Sequence, residues 1–207
     1  MAVTYPLSFP ATPQPAQVEW GGMQVPGVSA ALFTFVQQSY EWPGQRWLCS
    51  VRYAAMKDDK ARPIIAVLMA LEGRFGTCLW GPSGDDTTPR GVATGTPLVN
   101  GANQTGKTLV TDGWTPSVTG ILKAGDFLQF GSGLKQRLHM NLVDVNSDAG
   151  GNATLDLWPR QRESPADNAA IVTASPKGVF RLRSNERKWD MGVASVYGVT
   201  FDLEEAF

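Results

Sequence analysis

Gly101, Gly106, Lys107 and Thr108 lie in "GANQTGKT", which satisfies the phosphate-loop pattern G-x-x-x-x-G-K-[ST] letter for letter. In a working phosphate loop a buried parallel strand feeds a glycine loop, and the loop amides wrap phosphate at the start of a helix. Here the preceding apolar stretch is only "PLVN". The following "LVTDGWTPSVTG" is β-branched and carries Gly113 and Pro116, so a helix cannot start there and run on. The match is read as a decoy: a Gly/Asn-rich turn between two strands, with Lys107 solvated and no nucleotide cofactor.

The other chemistry-bearing residues are sparse. Asp144, Asn146 and Asp148 in "DVNSDAGGNATL" alternate as in a calcium loop, but the places that need glycine and a bidentate acid hold Ala149 and Leu155. A hairpin tip is expected there, not a metal site. His139 is the single histidine; it falls on the polar side of an alternating strand with no nucleophile motif nearby, and is read as a surface residue. Cys49 and Cys78 sit in apolar strands, too few with one histidine for structural zinc. The acidic pairs Asp58-Asp59, Asp85-Asp86 and Glu204-Glu205 are sequence neighbours, hence poor paired acids. They read as a helix cap, a solvated loop and a polar terminus. Trp20, Trp42, Trp114 and Trp158 each adjoin Gly or Pro, positions that suit core plugs or interface anchors. Trp114 and Trp158 are the candidates for a glycan platform. No catalytic residue is expected.

The elements that carry these residues are mostly strands. Gly and Pro number 22 and 14 in 207 residues, as in short strands joined by many turns. Net charge is -1, without the basic surplus that nucleic acid or anionic lipid asks for. No stretch approaches the roughly 18 apolar residues of a membrane span. "MAVTYPLSFPATPQPAQ" lacks the charged start and apolar run of a signal peptide, so cytoplasmic synthesis is expected.

"RWLCSVRY" (Arg46–Tyr53) alternates, with Trp47, Cys49, Val51 and Tyr53 on one face, and predicts a half-buried strand. Phe33–Tyr40 reads as the strand before it and Pro43-Gly44 as the turn between them. "KDDKARPIIAVLMALEG" predicts the chain's one helix, about 58–72, capped by Asp58 or Asp59, with Pro63 in or near its first turn and Gly73 as its stop. "GTCLW" is a short strand. "GPSGDDTTPRGVATGTP" leaves that module, and "TLVTD", "DFLQF", "RLHMNLVDV" and "ATLDLWP" build a small all-β unit. "GVFRLRSN" and "ASVYGVTFDLEEAF" return as strands, the latter with Tyr197, Val199, Phe201 and Leu203 on one face and Thr200, Asp202 and Glu204 on the other. Residues 1–84 and 172–207 are therefore expected to form one mainly β domain with one helix, carrying residues 85–171 as an inserted small all-β barrel or sandwich.

The segments "FTFVQQSYEWPGQRWLCSVRY", "AVLMALEGRFGTCLWG", "DGWTPSVTGILKAGDFLQF", "DVNSDAGGNATLDLWPRQRESPADNAAIV" and "KGVFRLRSNERKWDMGVASVYGVTFDLEEAF" resemble structural proteins encoded in tail gene clusters of double-stranded-DNA bacteriophages and prophages. Among these the layout is most similar to a distal tail protein of the tail tip or baseplate. The resemblance implies a tail-tube-like β-sandwich that forms a homo-oligomeric, commonly hexameric, ring, together with an outward β domain. It implies virion localisation and, as partners, the tail tube protein, the tail-tip hub and the tape-measure protein, without catalysis, membrane insertion or sequence-specific DNA binding. A tube terminator, a tail adaptor and a host-surface glycan-binding module are the alternatives. The proline-rich "YPLSFPATPQPAQVEW" suits an arm laid on a neighbouring subunit.

Overall fold

The computed structural model describes residues 3–193 and 195–207. The chain is mainly β, with one α-helix among the described residues. In order come β1 (Leu7–Ser8), β2 (Gln17–Ala30), β3 (Gln37–Arg52), β4 (Met56–Lys57), α1 (Asp58–Ala70) and β5 (Cys78–Trp80). Then follow β6 (Gly95–Val99), β7 (Gly106–Trp114), β8 (Phe127–Phe130), β9 (Arg137–Asn141) and β10 (Ala153–Gln161). The chain closes with β11 (Gly178–Leu182), β12 (Trp189–Gly192) and β13 (Val196–Glu205).

Two sheets result. The first runs β1-β5-β11-β13-β3-β2, with β4 and β12 also pairing β13; the second runs β6-β7-β10-β9-β8. The chain leaves the first sheet after Trp80 and returns at Gly178, and these two residues are cross-strand partners. Exit and re-entry thus lie side by side, the arrangement that lets a separate β unit sit between consecutive strands of a sheet.

β3 shows how the pattern makes the strand. From Gln45 onward its burial alternates strictly, Trp47, Cys49 and Val51 pointing inward, because one face covers a core and the other meets water. β13 lies beside it in antiparallel register, Phe201 opposite Val51 and Leu203 opposite Cys49. α1 closes the inner face with Ala61, Ile64 and Leu68, and Leu71 just beyond it is fully buried. The second core gathers Leu109, Trp114, Leu122, Leu128, Leu155 and Leu157 between the strands of the second sheet.

The two cores are joined by aromatics. Trp47 meets Trp158 edge-on at 4.3 Å, Trp20 lies against Trp47 and Phe127, and the Trp47 indole N–H donates to the Leu138 carbonyl at 2.9 Å. Each such ring pair is worth roughly 0.5–1.5 kcal/mol beyond its burial. Gly22 permits the approach: a Cβ there would stand 2.6 Å from the Trp158 ring.

Several sequence expectations are corrected. Pro43-Gly44 is no turn: β3 runs straight through it, and the register shift against Gln24–Pro26 makes it a bulge. The turn comes earlier, where Ala31 and Val36 close the β2–β3 hairpin, so Phe33–Val36 is its tip rather than strand. Lys57 occupies the N-cap without a side-chain bond, while Asp58 and Asp59 sit in the first turn, where their charge favours the helix dipole. Pro63 falls beyond that turn, with both it and Asp59, whose carbonyl it leaves unbonded, exposed to solvent. Glu72 and Gly73, at φ 48° and 71°, end the helix in left-handed conformation. The N-terminal stretch packs on its own subunit: β1 pairs β5, Phe9 stacks on Phe201 at 5.2 Å, and the Tyr5 hydroxyl donates to the Ala70 carbonyl at 2.7 Å.

Candidate functional site

The phosphate-loop residues span the connection from β6 into β7, two antiparallel neighbours. Gly101 and Gly106, both at φ 96°, turn the chain. The Gln104 side chain closes the loop, donating to the Asn100 carbonyl at 2.8 Å and accepting from Val110 N–H at 2.6 Å. β7 continues to Trp114, with Thr108 opposite Asp156, so no helix N-terminus faces the loop. Lys107 is solvent-exposed, as expected, and its Nζ lies 2.6 Å from Glu41.

The alternating Asp and Asn side chains after β9 serve the backbone. Asp144 accepts from Ala124 N–H, Asn146 from Gly120 N–H, and Asp148 from Gly150 and Asn152 N–H, all at 2.7–2.9 Å. The side-chain and backbone donors of Asn152 hold the Asp148 carboxyl below the usual carboxylate range. Among the described residues no group of three or more His, Cys, Asp or Glu side chains is placed to hold a metal ion.

Neither glycan candidate stands as an open ring platform: Trp114 is buried and Trp158 is half-buried. The Trp114 indole N–H donates to the Thr111 hydroxyl at 2.8 Å. Trp158 is wedged between Trp47 and Gly22. Both pack against other residues, Trp114 within the second core and Trp158 against Trp47 of the first sheet.

His139 is likewise corrected from surface to interior. It is 3% exposed, stacks on Phe130 at 4.5 Å, and its Nδ1 lies 2.7 Å from the Pro159 carbonyl. Burial pushes its pKa down to about 4, which makes the ring neutral and Nδ1–H the donor. Its Nε2 has no partner. Burial also raises the thiols of Cys49 and Cys78 to about 12, so both are protonated core groups and not nucleophiles.

Sequence reasoning missed the C-terminal acids. Glu204 is buried and ion-paired to Arg46 at 3.1 Å and Arg74 at 2.9 Å. Glu205, 3% exposed, accepts the Trp47 backbone N–H at 3.1 Å, and burial raises its pKa to about 7. The available signal was the period of two itself: Glu205 falls in phase with Tyr197, Val199, Phe201 and Leu203, the inward face of β13.

The most distinctive surface is the outer half of the β2–β3 hairpin. Phe33 is 96% exposed, Leu32 86% and Phe35 80%, and Val28, Trp42 and Tyr40 behind them are exposed too. β2 is also the last strand of its sheet, so its outer backbone edge is unpaired along the hairpin. Glu41 near the middle is gripped by Lys107 and Arg160 of the second sheet. It combines a long open edge with exposed apolar rows, features of the kind that can template strand addition or contact with another chain.

No protein-family model matches the chain, and no curated protein matches it in sequence.

Proposed function

We propose that the chain is a non-enzymatic structural component of a double-stranded-DNA bacteriophage tail, forming a homo-oligomeric ring at the distal tail or baseplate that joins the tail tube to the tail-tip hub. The observation that carries the proposal is the hairpin. A water-soluble monomer rarely presents so many large apolar residues on one projecting element, and such patches mark protein contacts. An open edge of 14 residues, the length of β2, adds backbone bonding to that contact.

Ring closure needs a second, different surface on each subunit, since head-to-tail contacts pair unlike faces. β12 offers one: Met191 is 68% exposed and Val193, just after it, 96%. The segment resemblance supplies the biological setting, and the tube, hub and tape-measure proteins are the partners it implies. The host-glycan reading loses support with Trp114 buried and Trp158 half-buried against Trp47.

The test is the solution mass of the protein by light scattering after size exclusion, with negative-stain images, alone and co-expressed with neighbouring tail-gene products. A closed ring that reverts to monomer in the double variant Phe33→Ser, Phe35→Ser is the expected result. A wild-type monomer in both settings overturns the reading.

A further inference from the structure

A cleft of about 620 Å³ opens between the end of the second sheet, the loop 162–172 and the end of β13. Its size lies within the roughly 300–1,000 Å³ of small-molecule sites. It belongs to one chain, and nothing about it depends on ring assembly.

Its walls are apolar where Phe130, Pro159, Val172 and Phe207 face it. The charged side chains around it are Lys135, Arg137, Arg160 and Arg162 against Glu163 and Glu205. Arg160 is taken up by Glu41, and Lys135 stands 3.9 Å from Glu163. Arg137 and Arg162 differ. Among the described residues neither meets a carboxylate in ion-pair contact; each donates only to backbone carbonyls, of Leu134 and Gln136 and of Gln45. Both guanidinium groups flank the Phe207 ring, at 5.4 Å and 3.6 Å from its centre. An Arg that meets no carboxylate of its own chain and keeps N–H groups to spare beside an apolar surface suits the carboxylate of an amphipathic ligand.

A second observation falls in the same wall. His139 Nε2, Arg160 Nε and Gln161 Oε1 are buried and have no hydrogen-bond partner among the described residues. Buried polar atoms almost always find one, and here three that do not belong to residues lining one cleft.

We propose that this cleft binds a small amphipathic organic anion, its carboxylate held by Arg162 and Arg137 and its apolar body against Phe130, Val172 and Phe207. Glu205 is the acidic group buried at the cleft's end, with Arg46, Arg137 and Arg162 the cations that act on it. Its ionised form repels an anion, so binding tightens as the pH falls through about 7 and the carboxyl takes up a proton. His139 stays neutral across that range.

The experiment is calorimetric titration of the intact protein with sodium octanoate and, separately, with octan-1-ol. Octanoate is expected to saturate one site per chain and to bind at least about tenfold more tightly than the alcohol, the value of a charge-assisted contact. Arg162→Gln is expected to remove that preference. Ala166→Trp, which fills the cleft from an exposed loop position, is expected to abolish binding, with folding of each variant checked by its melting curve. The double variant Phe33→Ser, Phe35→Ser is expected to bind as the wild type does. Equal affinity for acid and alcohol overturns the proposal, as does octanoate binding that survives in folded Ala166→Trp or disappears with the hairpin variant. Absence of saturable binding by the wild type also overturns it.

Discussion

The two halves of the β2–β3 hairpin share one backbone ladder and little else. Pairing runs from Gln17 opposite Arg52 to Ala30 opposite Gln37, interrupted only by the bulge at Pro43-Gly44. In the base, Trp47, Cys49 and Val51 alternate into a core; in the outer half, every residue from Gln37 to Pro43 is exposed. Strand pairing therefore does not require burial, whereas alternation does. Where a strand covers something, its sequence takes on a period of two; where it projects, apolar residues stand on both faces with nothing in the same chain to cover them. The base stabilises the fold, and the outer half leaves its apolar side chains exposed.

The sharpest way to break that division is to truncate a ring in each half. Trp47→Ala removes the indole that touches Trp158, Trp20 and Phe127 and orphans the Leu138 carbonyl. A loss of about 3–5 kcal/mol is expected in urea unfolding. Phe33→Ser, on a side chain 96% exposed, is expected to leave unfolding of the monomer within about 0.5 kcal/mol of wild type. Comparable losses from both would show that the outer half carries fold stability and would erase the distinction.

A smaller effect separates the halves by pH. Glu205 meets the base through the Trp47 N–H, and its folded pKa is raised to about 7 from 4.5. The folded state therefore holds a proton that the unfolded chain has released, and stability falls as pH rises from about 4.5 to 7. His139 has the opposite slope: with its folded pKa lowered to about 4 from 6.5, its neutral burial costs stability as pH falls through that interval. Glu205→Gln, which keeps an acceptor for Trp47, is expected to gain on the order of 1–3 kcal/mol near pH 8 and nothing near pH 4. Thermal melts across pH decide it, and parallel profiles for wild type and variant would refute the assignment. The outer half holds no comparably buried acid, so the hairpin tip should not respond.

These residues also mark what the sequence made legible. Alternation from Trp47 to Tyr53 and from Tyr197 to Leu203 was readable because each strand has one wet face, and α1 because its apolar positions recur at helical spacing. The hairpin's true turn was not, since Pro-Gly signals both turns and bulges, and "ALFTFV" has no turn residue to announce itself. His139 and Glu205 were misread for different reasons. His139 lies on a face that its strand's pattern assigns to water but that Phe130 and Pro159 cover, whereas Glu205 is in phase with the inward residues of β13 and only its charge argued for solvent. The cleft was invisible because Arg137, Arg162 and Phe207 are far apart in sequence and meet only through the fold.

The smallest predicted effect concerns the strap between the two regions. Lys107 on β7 and Arg160 on β10 both reach Glu41, which lies on the outer half of β3. The hydrogen bond from Lys107 is the main reason the Glu41 carboxyl is held below its usual range. The pair is solvent-exposed, so it contributes little to global stability; its effect is to limit how far the projecting strands swing relative to the second sheet. Lys107→Ala is accordingly expected to leave the melting temperature unchanged while amide exchange at Gln37–Trp42 speeds up several-fold, because local opening and global unfolding are separate equilibria. Titration of the wild type with ATP and magnesium is expected to give no heat of binding, since the loop joins two antiparallel strands and no helix N-terminus faces it. A variant that melts several degrees lower would mean that the outer hairpin is welded to the body and is not an arm held ready for a partner. Unchanged exchange would mean that Arg160 alone suffices to hold it.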